Sequence, residues 1–218
     1  MKSKNKAIWL AIGTVALVLF VDQVLKIWIK THFFLGEEIP VFDNWFFLHF
    51  VENEGMAFGF SFGGNSGKIL LSLLRIVAVL AIGYYLYLLI KRESKPLKII
   101  VFSLIFAGAL GNIIDSCFYG LIFTESTYYQ IASFTLKNGY APFLHGRVVD
   151  MLYFPLIETQ WPTWFPFIGG QEFQFFRPVF NIADSAITIG VFMLIIFYKN
   201  IFEVSAQKEA IHKIKEEY

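Results

Sequence analysis

The sequence predicts an all-α membrane protein of four transmembrane helices, with both termini cytoplasmic and a small external β-rich, interfacial element. Three observations carry the prediction. The 218 residues are 56% hydrophobic and only 16% charged, with a mean hydropathy of +0.59; a soluble domain of this length carries more charge. Four apolar runs come close to the ~20 residues that cross a bilayer core. Lys and Arg concentrate in alternate connections, which orients the spans. The net charge of +1 supplies no basic field for nucleic acid. A lone cysteine, Cys117, forms no internal disulfide and fits no zinc spacing.

The basic start, Lys2, Lys4 and Lys6, followed by apolar Ala7 to Val21, has the shape of a secretory signal peptide. No small-residue cleavage site follows, and Asp22-Gln23-Val24-Leu25-Lys26 continues helically into Ile27-Trp28-Ile29. A retained first span, residues 7–29, is therefore predicted. Residues 30–68 form a loop punctuated by Pro40, Asp43-Asn44 and a Gly-rich stretch at 58–65. Within it, the aromatic Trp45 to Val51 favours a strand or hairpin at the membrane surface. The second span is predicted over 69–90 and the third over 99–119, joined by a basic turn at 91–98. Small residues in Gly108-Ala109-Leu110-Gly111 permit close helix contact. Residues 120–179 are a long loop, rich in Pro, Gly, Trp and Phe, whose aromatics suit a membrane-resting segment. The fourth span is predicted over 180–198, before a polar helical tail at 199–218. The whole is read as one membrane-embedded domain, residues 1–218.

The amino terminus, the turn and the tail carry three, four and four Lys or Arg, and the two far longer loops carry five together. The long loops are therefore placed outside. With this orientation, Asp22, Lys26, Arg75, Asn112, Asp115, Asn181 and Asp184 all fall toward the outer ends of the spans. The inner halves hold almost no ionisable groups. A transport pathway would place polar groups through the whole depth, so this single layer argues against a small transporter. A non-catalytic module binding lipidated segments is a second alternative.

Asp184 is a charge at the start of an apolar run, costly in hydrocarbon and so a functional-site candidate. Asn181, three residues earlier, shares its face at helical spacing. Asp150 closes the short segment His145-Gly146-Arg147-Val148-Val149-Asp150-Met151. If Asp150 and Asp184 meet, one keeps its proton, and the pair offers a base and an acid at once. On spacing alone the other reading stays open: a solvated loop carboxylate and a helix-start charge favoured by the dipole. Asp22 and Lys26 form an i, i+4 ion pair, structural or substrate-contacting. Asn53 caps a turn or bonds a substrate backbone. The four histidines show no metal spacing, there is no His-Glu-x-x-His, and no Gly-x-Ser-x-Gly elbow occurs.

Five stretches together resemble the lipoprotein signal peptidases (signal peptidase II), the aspartic peptidases of bacterial inner membranes. They are Asp22-Gln23-Val24-Leu25-Lys26, Asn53-Glu54-Gly55-Met56-Ala57-Phe58-Gly59, Gly108-Ala109-Leu110-Gly111-Asn112-Ile113-Ile114-Asp115, Gly146-Arg147-Val148-Val149-Asp150 and Phe180-Asn181-Ile182-Ala183-Asp184-Ser185-Ala186-Ile187. The resemblance implies Asp150 and Asp184 as the catalytic dyad. Asn53, Gly55, Asn112, Asp115, Arg147, Asn181, Asp22 and Lys26 are then substrate-binding or supporting residues. It implies diacylglyceryl-modified prolipoproteins as substrates, cut just before the lipidated cysteine, and membrane lipids and the cyclic peptide globomycin as further partners. No metal or organic cofactor is implied. Burial keeps a proton on one carboxyl and the helix dipole favours charge on Asp184, so Asp150 is the protonated partner at rest. Two departures stand out. Ser116 follows Asp115 where the family usually has Arg, so the role of that Arg is absent or is supplied elsewhere, by Arg147 or Arg177. The stretches 121–144 and 151–179 are longer than the family's usual connections.

Overall fold

In the computed structural model the apolar runs form helices, and the aromatic stretch after the first of them forms a strand. The structure describes residues 2–43, 45–54, 64–155, 157–175 and 178–202. Helix α1 spans Lys2–His32, α2 Gly64–Lys91 and α3 Pro96–Ile114. A π-helical turn, Asp115–Tyr119, and a short α4, Gly120–Ile122, prolong α3 without a break. Among the described residues, Lys4–His32, Gly67–Lys91 and Pro96–Ile122 are long and apolar enough to cross a membrane. Each is longer than the predicted span, because polar residues at the ends still complete helical turns.

The last apolar run differs most from expectation. Helix α5 is Ile182–Ile196, 15 residues, or about 22 Å at 1.5 Å per residue. A turn at Phe197 interrupts the assignment, yet Phe197 N–H still donates to Met193 O (3.0 Å) and Ile201 N–H to Phe197 O (2.9 Å). The helical path thus runs on to Phe202. Phe180, predicted as the first residue of this span, instead forms a strand bridge with Leu152.

Strands β1 (Glu38–Phe42), β2 (Phe46–Asn53) and β3 (Val148–Tyr153) make an antiparallel sheet in that order. The predicted strand at 45–51 is β2; β3, which carries Asp150, is not among the predicted strands. A second hairpin, β4 (Ile157–Gln160) with β5 (Glu172–Phe175), lies in the long loop and was not predicted. Its alternation is too short to stand out among the loop's aromatics.

The chain divides into two compact units. One is drawn from 1–21, 74–111 and 183–218. In it, α3 and α5 approach closely at small residues. A Cβ on Gly108 would lie 2.2 Å from Ala183 O, and one on Gly190 2.6 Å from Ile105 Cγ1. Ala7, Ala11, Leu86 and Ile99 form its apolar cluster. Near the end of the described chain, Lys95 Nζ donates to Asn200 O (2.8 Å) and the Lys98 ammonium sits 4.5 Å from the Phe202 ring centre.

The other unit comprises Asp22–Leu73 and Asn112–Ile182. Its core is Ile29, Phe33, Phe50, Tyr119, Phe123, Val149 and Met151. Alternation along a strand explains which sheet residues join it. Val51 pairs with Asp150 and Glu52 with Val149. One face therefore presents Phe50, Glu52, Val149 and Met151 to the core, and the other presents Val51, Asn53, Val148 and Asp150. The link from α1 to β1 requires glycine: Gly36 has φ +80° and a Cβ there would meet the Tyr128 ring at 2.9 Å.

Candidate active site

Asp150 stands on β3 with its side chain held by two amides. Asn181 Nδ2 donates to Oδ1 at 2.7 Å and Asn53 Nδ2 approaches Oδ2 at 3.4 Å. The Asn181 amide also donates to Val149 O (3.3 Å) and Asn112 Oδ1 (3.2 Å). Three acceptors around one nitrogen fix which end of the side chain faces Asp150. Asn181 is fully buried and immediately precedes α5. It lies just outside the helix, and its amide reaches Asp150.

A second polar group lies beside the first and shares Asn112. Lys26 Nζ contacts Asp22 Oδ2 (2.9 Å), Asp115 Oδ2 (2.8 Å) and Asn112 Oδ1 (2.9 Å). Asp22, Lys26 and Asp115 are all 0% exposed. Gln23 Nε2 donates to Asp115 Oδ1 (2.9 Å) and Tyr119 OH to Gln23 Oε1 (3.2 Å). Three acceptors saturate the ammonium, which is the condition for burying a charge. The predicted i, i+4 pair is therefore part of a larger cluster, and Asp115 is committed to Lys26 rather than to Asp150. The π-turn begins at Asp115, and such turns recur at functional sites. It brings the chain close to Gly146, whose N–H donates to Ser116 O (2.9 Å) and whose Cβ position lies 2.1 Å from Asp115 O.

A third group surrounds Glu52. Lys30 Nζ forms an ion pair with Glu52 Oε1 and donates to Ser126 Oγ (2.9 Å). Arg147 donates from Nη1 to Glu52 Oε2 (3.0 Å) and from Nη2 to Glu125 Oε1 (3.2 Å). Burial works against the Arg147 charge, but the Glu52 hydrogen bond and charge overcome it and hold the guanidinium above its ordinary value. Sequence reasoning singled out Arg147 but not Lys30, Glu52 or Ser126. One signal was available: Asp22, Lys26 and Lys30 recur every four residues along one stripe of α1.

Asp184 lies in the first turn of α5, half-buried. It belongs to the unit that contains α5, and Asp150 to the unit that contains the sheet. Gly55 and Arg177 lie outside the described residues. Ser116 is buried and donates from Oγ to Asn112 O (3.1 Å). Among the described residues no cluster of His, Cys, Asp or Glu is placed to hold a metal ion.

A family profile described as Signal peptidase (SPase) II matches residues 14–199. The chain is 53% identical over 189 residues to a lipoprotein signal peptidase of Porphyromonas gingivalis, covering 84% of this chain and 80% of that one. It is 36% identical to the lipoprotein signal peptidase of Amoebophilus asiaticus, covering 94% and 84%, and 33% identical to that of Chlorobium phaeovibrioides, covering 89% and 90%. A bacterial membrane enzyme solved by the in meso method at 1.9 Å superposes with a TM-score of 0.54 at 26% identity, covering 85% of this chain and 90% of that one. With three long apolar helices and a small sheet among the described residues, and with these matches, the chain belongs to the signal peptidase II family and is an aspartic peptidase.

Proposed function

We propose that the protein removes signal peptides from diacylglyceryl-modified prolipoproteins, cutting before the lipidated cysteine with Asp150 and Asp184 as the dyad. The observation that carries this reading is the seating of Asp150. Its carboxyl is 4% exposed as a residue and meets the amides of Asn181 and Asn53, in a family of aspartic peptidases. One carboxylate takes a proton from water. The resulting hydroxide attacks the scissile carbonyl while the other carboxyl protonates its oxygen. Collapse then breaks the C–N bond, and the amine leaves with a proton from the dyad.

Burial and the helix dipole at Asp184 favour the resting proton on Asp150, whereas the Asn181 amide favours charge there. Asp150 and Asp184 together supply the base and the acid. Asn112, Asp22, Lys26 and Asp115 support the site from behind. Asn53, which meets Asp150, contacts the substrate, with Arg147 bracing the strand; Gly55 is assigned a supporting role on the family resemblance alone.

The chain acts as one membrane-embedded domain, residues 1–218, in the bacterial inner membrane. It crosses four times, α5 and its continuation supplying the fourth span. Both termini are cytoplasmic and the dyad is toward the outer face. Substrate acyl chains enter laterally from the lipid, and a globomycin-like cyclic peptide occupies the same path. The Lys and Arg distribution supports this orientation. A cleavage assay on a diacylglyceryl-modified prolipoprotein, with the parent enzyme and with Asp150→Asn and Asp184→Asn, tests the reading. Loss of cleavage in both, with binding retained, supports it; full activity in either removes that residue from the dyad.

A further inference from the structure

The Glu52 cluster lies on the opposite face of the sheet from Asp150, and the mechanism makes no direct use of it. A carboxylate 2% exposed sits in line with Phe50 on the face that packs against Ile29, Val149 and Met151. It is neutralised by fully buried Lys30 from α1 and by Arg147, one residue before β3. The segment between α4 and β3 closes the cluster. Ser126 Oγ lies 3.1 Å from Glu52 Oε1, Glu125 takes the second Arg147 nitrogen, and Tyr140 OH accepts the Arg147 backbone N–H at 2.7 Å. The Tyr140 ring lies 4.8 Å from the Lys30 ammonium.

Next door, the β2–β3 ladder is irregular: its register shifts between Leu48 and Val51, directly beside the Val51–Asp150 pair. The bulge leaves the pairing irregular beside the point where Asn53 meets Asp150, so side chains on the core face, Glu52 among them, share in holding the register there. A one-residue slip would send Asn53 to the core face and Glu52 away from it. Lys30 would then be left buried without a counter-charge, which is strongly unfavourable. The ion cluster thus makes the slipped alternative costly without touching the reacting groups.

We propose that Glu52, clamped between Lys30 and Arg147, is a positioning residue. It fixes the face and register of β2 against β3 so that Asn53 meets Asp150, and residues 121–144 complete the clamp through Ser126, Glu125 and Tyr140. The inference rests on the reading of Asp150 as catalytic.

The test uses the full-length enzyme in lipid with a diacylglyceryl-modified prolipoprotein. Lys30→Met with Glu52→Leu removes both charges while keeping apolar volume. It is expected to lower kcat roughly tenfold or more with KM changed by less than about twofold. Lys30→Met with Glu52→Cys and Val149→Cys, on a Cys117→Ser background, replaces the clamp by a disulfide between directly paired residues. Oxidised, it should recover kcat to within about threefold of the parent, and reduction should abolish that recovery. Ser126→Ala should lower kcat by roughly threefold at unchanged KM. Parental kcat in the charge-free variant, or no recovery on oxidation, overturns the clamp. Parental kcat in Ser126→Ala removes residues 121–144 from it. Where the charge-free variant does not fold, the cross-linked one decides. Cleavage by Asp150→Asn would sink the dyad and leave the clamp's own readout, recovery on oxidation, standing.

Discussion

Asn181 donates its side-chain amide to Asp150 Oδ1 across 2.7 Å, joining the residue that precedes α5 to the middle of β3. The contact spans 31 residues and carries an amide already tied to Val149 O and Asn112 Oδ1. An amide fixed at three points holds the carboxylate rather than following it.

Replacing Asn181 by Leu should therefore slow cleavage more than it weakens binding. Loss of one charge-assisted hydrogen bond is worth about 1.5–3 kcal/mol, or roughly 10–150-fold in kcat. Added to Asp150→Asn, the same change should cost little more, because both act through one group. Steady-state cleavage rates for the two single variants and the double variant check this; additive losses would separate Asn181 from Asp150.

Lys26→Met should destabilise the protein by about 3–5 kcal/mol, because it leaves the Asp22 and Asp115 carboxylates buried without their cation. Adding Asp22→Asn and Asp115→Asn should restore most of the loss, since the cost belongs to unpaired charge rather than to missing packing. Denaturant unfolding in detergent compares the two. Equal stability of the single and triple variants would show that the cluster does not behave as a charge unit.

Two glycines on the α3–α5 contact should respond differently. A Cβ at Gly108 meets the Ala183 carbonyl at 2.2 Å, backbone that cannot rotate away. Gly108→Ala should shift the first turn of α5, which carries Asp184, and lower kcat by roughly tenfold or more. At Gly190 the nearest atom is the Ile105 side chain at 2.6 Å, with Val101 O at 3.2 Å, so Gly190→Ala should cost roughly 1–2 kcal/mol of stability and little activity. Cleavage rates and unfolding midpoints of the pair distinguish the sites, and equal activity loss would contradict the distinction.

Gly146→Ala should destabilise the π-turn. The added carbon would stand 2.1 Å from Asp115 O, while the Gly146 N–H still holds Ser116 O. Overpacking of this kind costs about 1–3 kcal/mol, and its effect passes along one residue to Arg147 and three to Val149. Hydrogen exchange at the Gly146 and Val149 amides should speed up, and unchanged exchange would show that the turn absorbs the methyl.

Local patterns were legible in the sequence. Apolar runs read as helices because each hydrogen bond closes within four residues. Asp22 and Lys26 read as a pair for the same reason, and the aromatic stretch at 45–51 read as a strand. The Gly108 region read as a close contact because small side chains leave no other use for such a run. The Gly55 stretch and the tail beyond Phe202 lie outside the described residues.

What the sequence determined by itself is this set of local elements, together with the motifs that place the chain among the aspartic signal peptidases. What only the tertiary structure decided is which polar groups share a partner. Asn53 lies 97 residues from Asp150, Lys26 lies 86 from Asn112, and Ser126 lies 96 from Lys30. No periodicity spans such distances. Strand alternation then divides neighbours by face: Asn53 toward Asp150, Glu52 toward Lys30. That division follows from the register of β2 on β3, whose core face packs around Phe50 and Met151.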